Sequence, residues 1–190
     1  MLESIITSKT RIKLLLKFFS NPHTTAYLRG LADELGENTN AIRLELNRLS
    51  KAGLLSHEQD GNTILYKANI KNPFFKQLHR LVMKYMGLDD VVESIVNKVG
   101  PLQLAFITGS YAKGKDTGII DLVLVADSFD LNYLQMLHKR AEDICNRKIR
   151  LLTLHPNEFQ TLISSFEMDN ALILYATVLS GYSTTNELNF

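Results

Sequence analysis

The residues best suited to chemistry lie in one stretch of the second half of the chain. An apolar run over 104–107 leads into a turn that begins with Gly109 and Ser110. A second apolar run follows, with a single carboxylate, Asp121, near its start. A glycine-containing turn that can bind an anion, with a carboxylate beside it, could form an active site, but one carboxylate supplies few ligands for a divalent metal ion. The stretch therefore decides whether the protein is an enzyme or something built from one.

Composition limits the classes of protein that the chain can belong to. Its 190 residues allow one large domain or two small ones. Cys145 is the single cysteine, so neither an internal disulfide framework nor a cysteine metal cluster can form. The five histidines show no pair at metal-ligand spacing. No apolar run reaches the roughly 18 residues that span a membrane, and no signal-peptide pattern is present. A soluble cytoplasmic protein is expected.

Charge divides the chain into two parts. Lys and Arg exceed Asp and Glu by 13 to 7 through residue 86, whereas acids exceed bases by 13 to 8 afterwards. A basic half joined to an acidic half indicates two domains with different partners. We predict a domain over 1–86 that is suited to a polyanion, and a second domain over 87–190.

The first half has the pattern of three helices followed by a hairpin. The first helix is expected over 8–20. Thr25 would cap the second, which Gly36 closes. The third begins near Asn38 or Asn40 and ends at Ala52. Two short strands, 54–57 and 63–67, flank the tight turn at 60–62. This order predicts a winged helix-turn-helix.

The segment 42–55 resembles the recognition helix and first wing strand of ArsR- and MarR-like regulators, which share the Leu-x-x-Ala-Gly-Leu pattern of residues 49–54. The resemblance covers residues 8 to 70 and implies a DNA-binding domain.

Polar residues off the apolar stripe of the third helix are the candidate DNA contacts. Asn can read adenine and Arg can read guanine in the major groove, and both can hold phosphate. The wing would add a residue at its tip and a lysine beside it. The candidates are Asn38, Thr39, Asn40, Arg43, Asn47, Arg48, Asn62 and Lys67. The alternative is a helix face that is merely solvated.

A wide apolar helix is predicted after Asn72 and Pro73, where proline occupies an allowed first-turn position. It would either pair two copies of the chain as a homodimer or pack within its own chain; the sequence leaves both open.

The second half predicts a small α/β domain with one mixed sheet. Its elements alternate in the order helix, strand, strand, helix, strand, helix, helix. Their expected ranges are 89–99, 102–107, 119–125, 131–147, 149–154, 158–166 and 170–179. The whole chain is therefore expected to be a two-domain α+β or α/β protein.

The pattern Gly109-Ser110-x-Ala112-x-Gly114, followed by Asp121-Leu122 entering a strand, resembles the minimal nucleotidyltransferases of the polymerase-β-like superfamily. That resemblance implies a Gly-Ser turn whose backbone N–H groups and hydroxyl bind nucleotide phosphates. It also implies two carboxylates two residues apart on the next strand, and a third from a later strand, which together hold divalent metal ions.

The acids of this pattern are largely missing. Depending on register, the partner of Asp121 is either Ile119 or Val123, and Arg150 stands where the third acid is expected. A hard divalent cation needs several oxygen ligands, so this is a poor metal site. Asp121 and Arg150 are expected to form an ion pair instead. Asp116, in the loop, is the alternative substitute acid.

These observations predict a DNA-binding transcription regulator whose second domain is a nucleotidyltransferase-like sensor or scaffold without catalysis. Double-stranded DNA is the expected partner, and the protein is expected to use neither a cofactor nor a metal ion. A retained phosphate or nucleotide site would use Gly109, Ser110, Lys113 and Lys115, although the turn could also be purely structural. The alternative is an active metal-dependent nucleotidyltransferase using NTP and Mg²⁺, or an antitoxin-type module, acting on a small molecule, RNA or partner protein.

Overall fold

The structure is a computed structural model that describes residues 4, 6–87, 94 and 101–177. The chain divides into two compact units, Met1–Tyr85 and Met86–Phe190. The described residues have a mixed α+β fold with two small sheets, one of three strands and one of four. None of the described helices combines the length and the apolar character needed to cross a bilayer.

The N-terminal unit alternates helices with short strands. Two of its helix ends are set by capping residues. Ser8 caps the first helix by accepting from the Arg11 N–H, and Gly36, with a left-handed backbone, ends the second. The elements are α1 (Lys9–Ser20), β1 (Thr25–Tyr27), α2 (Leu28–Leu35), α3 (Thr39–Lys51), β2 (Leu55–Asp60), β3 (Thr63–Ala68) and α4 (Phe75–Tyr85).

One boundary in this unit was predicted wrongly. Thr25 does not cap α2; it lies in β1, paired with Lys67 of the central strand β3. The N-cap of α2 is Tyr27, which has extended backbone and offers no side-chain cap. β1 therefore adds a third strand to the hairpin. The sequence did not reveal it, because three residues are too few to show the apolar–polar alternation that marks a strand.

The apolar stripe of α4 packs inside its own unit. Phe75 lies with its ring centroid 5.6 Å from that of Phe19 on α1, and the two side chains are buried. His79 is also buried, with Nδ1 2.6 Å from the Phe19 carbonyl oxygen. Of the two interpretations of this helix, packing within the chain is the one observed for these residues, and a homodimer stays a prediction.

The C-terminal unit is built on a four-stranded sheet. Its elements are β4 (Leu102–Thr108), the single turn α5 (Gly109–Ala112), β5 (Ile119–Ala126), α6 (Leu131–Cys145), β6 (Lys148–Leu154), α7 (Pro156–Leu162), two 3-10 turns (Ile163–Ser165 and Met168–Asn170) and β7 (Leu172–Ala176). The strand order is β6-β5-β4-β7. β5 and β6 are parallel and the other pairs antiparallel, so the predicted mixed sheet is observed.

Each face of this sheet has its own buried cluster. One contains Leu124 with Leu134 and Leu137 of α6. The other contains Phe106 and Val123 with Phe159 of α7. Alternate residues of a strand face opposite sides, so Asp121 shares the side of Val123.

The last predicted helix is wrong where the structure describes it. Residues 172–176 form β7, which pairs with β4 in an antiparallel ladder that includes Phe106 opposite Ile173. The helix predicted over 158–166 is also shorter, because the chain leaves α7 at Leu162 and continues as a 3-10 turn. The helix predicted over 89–99 lies outside the described residues, apart from position 94.

Candidate functional site

The first candidate site is the exposed side of α3. Asn38 caps this helix, its side-chain oxygen accepting from the Asn40 N–H at 2.7 Å. The N-terminal turn is therefore ordered by its own sequence, and Asn38, Thr39 and Asn40 are all exposed. Residues 42, 46 and 49 face the core, which leaves the opposite side of the helix to solvent.

Four of the predicted DNA contacts lie together on this side. Asn40, Arg43, Asn47 and Arg48 are exposed, and residues three or four apart on a helix are neighbours. Arg43 donates to the Asn40 side-chain oxygen at 3.1 Å. The two side chains thereby hold one another on the surface. We call this set, with Leu44 and Lys51, the α3 outer face.

A buried carboxylate behind this face was not anticipated. Glu45 is 5% exposed and accepts hydrogen bonds from Ser8 (3.0 Å), Arg11 (2.7 Å) and Arg48 (2.8 Å). It joins α3 to the start of α1 and holds Arg48 from behind. The signal was in the sequence, since position 45 falls within the apolar stripe that positions 42, 46 and 49 define.

Two effects oppose each other at Glu45. Burial acts to raise the pKa of this carboxyl, but the hydrogen bonds from Arg11, Ser8 and Arg48 outweigh it and leave the pKa below its ordinary value. Glu45 is accordingly ionised at neutral pH and acts as a fixed negative anchor for two arginines.

The hairpin places its two candidate contacts differently. Asn62 is exposed in the turn next to Gly61, which is left-handed (φ 57°) as a tight hairpin turn requires. Lys67 does not lie beside it: it is in the central strand, opposite Ser56, and its Nζ is 3.3 Å from Glu58. The tip itself is tied to β1, since the Tyr27 hydroxyl donates to Asp60.

The second candidate site is the turn after β4. Gly109 is left-handed (φ 72°), and a Cβ placed on it would lie 2.5 Å from Asp121 Oδ2. Thr108 is opposite Asp121 in the β4–β5 ladder. Glycine is therefore required here both by the backbone and by the close approach of the carboxylate.

Asp121 forms the predicted ion pair. It lies opposite Arg150 in the parallel β5–β6 ladder, and the guanidinium binds it at two points, Nε–Oδ1 at 2.6 Å and Nη2–Oδ2 at 2.8 Å. The hydrogen bond to Asp121 raises the pKa of Arg150 further above its ordinary value. Arg150 thus occupies both oxygens that a cation would need.

Two further ion pairs lie around the turn. Arg147 binds Asp116, the alternative acid of the loop, through Nε at 2.9 Å. Lys113 Nζ lies 2.5 Å from Glu167 and holds the pKa of that carboxyl below its ordinary value. Ser110 and Lys115 are exposed. The four predicted phosphate-binding residues therefore lie in one short segment, α5 and the loop that follows it. Of these four, Lys113 is paired with Glu167.

The residues present do not fit a divalent metal centre. Among the described residues, no group of three or more His, Cys, Asp or Glu side chains could hold an ion. Ile119 and Val123 put no oxygen on either side of Asp121 along its face of the strand. Cys145 is buried, and burial raises the pKa of its thiol, so it is a packed rather than a reactive cysteine.

Comparison with known proteins gives little similarity. No protein-family model and no curated protein matches the chain. Two mutant forms of the toxin–antitoxin complex MntA-HpeT overlap with it at a TM-score of 0.37 and 18% identity, over 48% and 49% of this chain and 74% and 73% of theirs. A toxin–antitoxin structure with AMP-PNP overlaps at a TM-score of 0.36 and 18% identity, over 48% of this chain and 74% of its own. Overlaps this weak carry no argument about the fold or the role of this chain.

Proposed function

We propose that the N-terminal unit binds duplex DNA through the α3 outer face, with the β2–β3 hairpin as a second contact, and that the chain acts as a transcription regulator. The observation that carries this proposal is the grouping of Asn40, Arg43, Asn47 and Arg48 on one exposed side of a capped helix. Amide and guanidinium groups are those that read base edges and hold phosphates. The net positive charge of residues 1–86 would attract the backbone.

The internal bonding of this face favours recognition over simple solvation. Arg43 is held by Asn40, and Arg48 by the buried Glu45. Side chains that are ordered before binding lose less conformational entropy on binding.

The test is a selection of bound sequences from a pool of randomised duplexes of about 20 base pairs, long enough for two half-sites. We expect Arg43→Ala to weaken binding to the best selected duplex by about 1–3 kcal/mol, and Asn40→Ala with Arg43→Ala to abolish it. Arg140→Ala, which removes one exposed charge from the other unit, is the matched control and should leave affinity unchanged. A full chain that binds no duplex at low salt would refute the proposal.

For the C-terminal unit we propose a nucleotidyltransferase-like body that no longer catalyses transfer and serves as sensor or scaffold. The bidentate Asp121–Arg150 pair supports this role, because an arginine occupies the carboxylate oxygens that metal-dependent transfer would use. The exposed Ser110 and Lys115 beside the Gly109 turn are where a phosphate group would bind.

A second candidate function is favoured by the turn itself. The left-handed Gly109 brings the turn after β4 close to the Asp121 carboxylate of β5, so that a phosphate-binding turn and a carboxylate would act at the same place. An active nucleotidyltransferase, or an antitoxin-type module, would then act on a small molecule, an RNA or a partner protein. Transfer of label from NTP with Mg²⁺, lost in Asp121→Ala, would establish it. Calorimetry with ATP and Mg²⁺, repeated with Ser110→Ala, separates binding from transfer.

A further inference from the structure

Leu44 is an apolar side chain in the middle of a polar surface. It is 59% exposed, and within α3 it is the sole large hydrophobic side chain that faces solvent. Its neighbours at helical spacing are Asn40, Asn47 and Arg48, all exposed. The buried apolar side chains of α3 are residues 42, 46 and 49, and Leu44 is not one of them.

The position of Leu44 matters more than its exposure, since single exposed leucines are common on protein surfaces. Residues 40, 44, 47 and 51 follow one another along a single line of the helix. A helix lying in the major groove brings the centre of its outer face closest to the base edges, while its flanks meet phosphates. Leu44 lies near that centre, between two amides.

The edges of base pairs in the major groove carry one apolar group, the 5-methyl of thymine. Asparagine pairs with the adenine edge through its amide, so Asn40 or Asn47 would read the A of an A·T pair in which the methyl belongs to T. We infer that Leu44 is a specificity-determining residue that contacts a thymine methyl. This inference rests on the proposed DNA binding and names the base that the α3 outer face prefers.

The experiment uses the full chain and the best duplex from the selection described above. Each thymine of that duplex is replaced singly by uracil, which removes the methyl and keeps every hydrogen-bonding group. We expect one thymine, or a symmetry-related pair, at which uracil weakens binding about threefold to fivefold, the effect of losing one buried methyl. In Leu44→Ala the same replacement should have no effect, since the partner of the methyl is gone.

Ile70→Ala is the matched control, because Ile70 is an equally exposed aliphatic side chain (62%) of the same unit but outside α3. It should keep the full sensitivity to uracil. The inference is overturned if the chain binds duplexes but no thymine is sensitive, or if Leu44→Ala and wild type are equally sensitive. Failure to bind any duplex would instead refute the proposed function itself, so the two failures are distinguishable.

Discussion

Asp121 and Gly109 depend on each other at the turn after β4. The carboxylate occupies the space that a side chain at position 109 would need, and Arg150 holds the carboxylate in place from β6. Arg150 is 69% exposed, and ion pairs between exposed groups add little to stability because solvent screens them. The pair is therefore better understood as fixing the position of Asp121 than as a main source of stability.

Replacing Gly109 with alanine should disturb β5 and β6. The new methyl would suffer the left-handed backbone penalty of about 1–2 kcal/mol and would also push Asp121 away from Arg150. Gly118→Ala is the control, because Gly118 is equally left-handed (φ 78°) but has nothing within 4 Å of its Cβ position. Hydrogen exchange of the β5 and β6 amides should accelerate more in Gly109→Ala; equal acceleration in the two variants would contradict the close approach.

Glu45 is the acid on which the stability of the N-terminal unit should depend most on pH. Its pKa is lower in the folded chain than its ordinary value of about 4.3. The stabilisation it provides is therefore complete above that value and is lost as the pH falls through the folded pKa. Glu45→Gln should lower the free energy of unfolding at pH 7 by about 1–3 kcal/mol, and the difference from wild type should shrink below about pH 4.

Glu34→Gln is the matched control for this measurement, since Glu34 also forms an ion pair, with Lys17, but is 46% exposed. Urea denaturation followed by circular dichroism at several pH values should find little change in that variant. A difference between Glu45→Gln and wild type that does not vary with pH would show that packing, not charge, is responsible.

At the scale of elements, the sequence predicts best where the local signal and the tertiary environment agree. The helices α1 and α3 combine a cap, an apolar stripe and a stop, and each appears within about a residue of its expected bounds. β7 shows the opposite case. Its apolar run Leu172–Ala176 fits a helix as well as a strand, and the free edge of β4 decides the outcome. The Asp121–Arg150 pair was expected from the resemblance to nucleotidyltransferases, which puts Arg150 where a third acid would stand. The Lys113–Glu167 pair depends on a turn with no sequence signal.

The glycines of α2 provide a test of element stability. Gly30 lies inside the helix, with nothing within 4 Å of the position that a Cβ would take, so Gly30→Ala should raise the free energy of unfolding by about 0.5–1 kcal/mol through helix propensity. Gly36 has equally open space but a left-handed backbone (φ 62°) as the cap of the same helix. Gly36→Ala should therefore destabilise the chain. Thermal unfolding of both variants checks the prediction; changes of the same sign would contradict it.

At the scale of the whole molecule, the two units have opposite charge and different internal pairing. On the α3 outer face, Arg48 pairs with Glu45, whereas Arg43 is exposed and donates to the neutral amide of Asn40. Around the Gly109 turn, Lys113, Arg147 and Arg150 each pair with an acid of their own unit. An anion approaching the chain meets usable positive charge on the N-terminal unit. This difference is the physical reason for assigning nucleic-acid recognition to that unit and a supporting role to the other.

The salt dependence of DNA binding should report this division of charge directly. Each phosphate contact made by Lys or Arg lowers the slope of log K against log salt by about 0.9. The exposed cations of the α3 outer face, Arg43, Arg48 and Lys51, should therefore give each copy of the chain a slope of roughly −3. Arg43→Ala should reduce the magnitude of that slope by about 0.9, the effect of losing one phosphate contact. Asn40→Ala should weaken binding but leave the slope unchanged, because an amide displaces no counterion. Fluorescence anisotropy titrations from about 50 to about 200 mM salt measure both quantities. A slope near zero for the wild-type chain would mean that these cations do not meet the phosphate backbone.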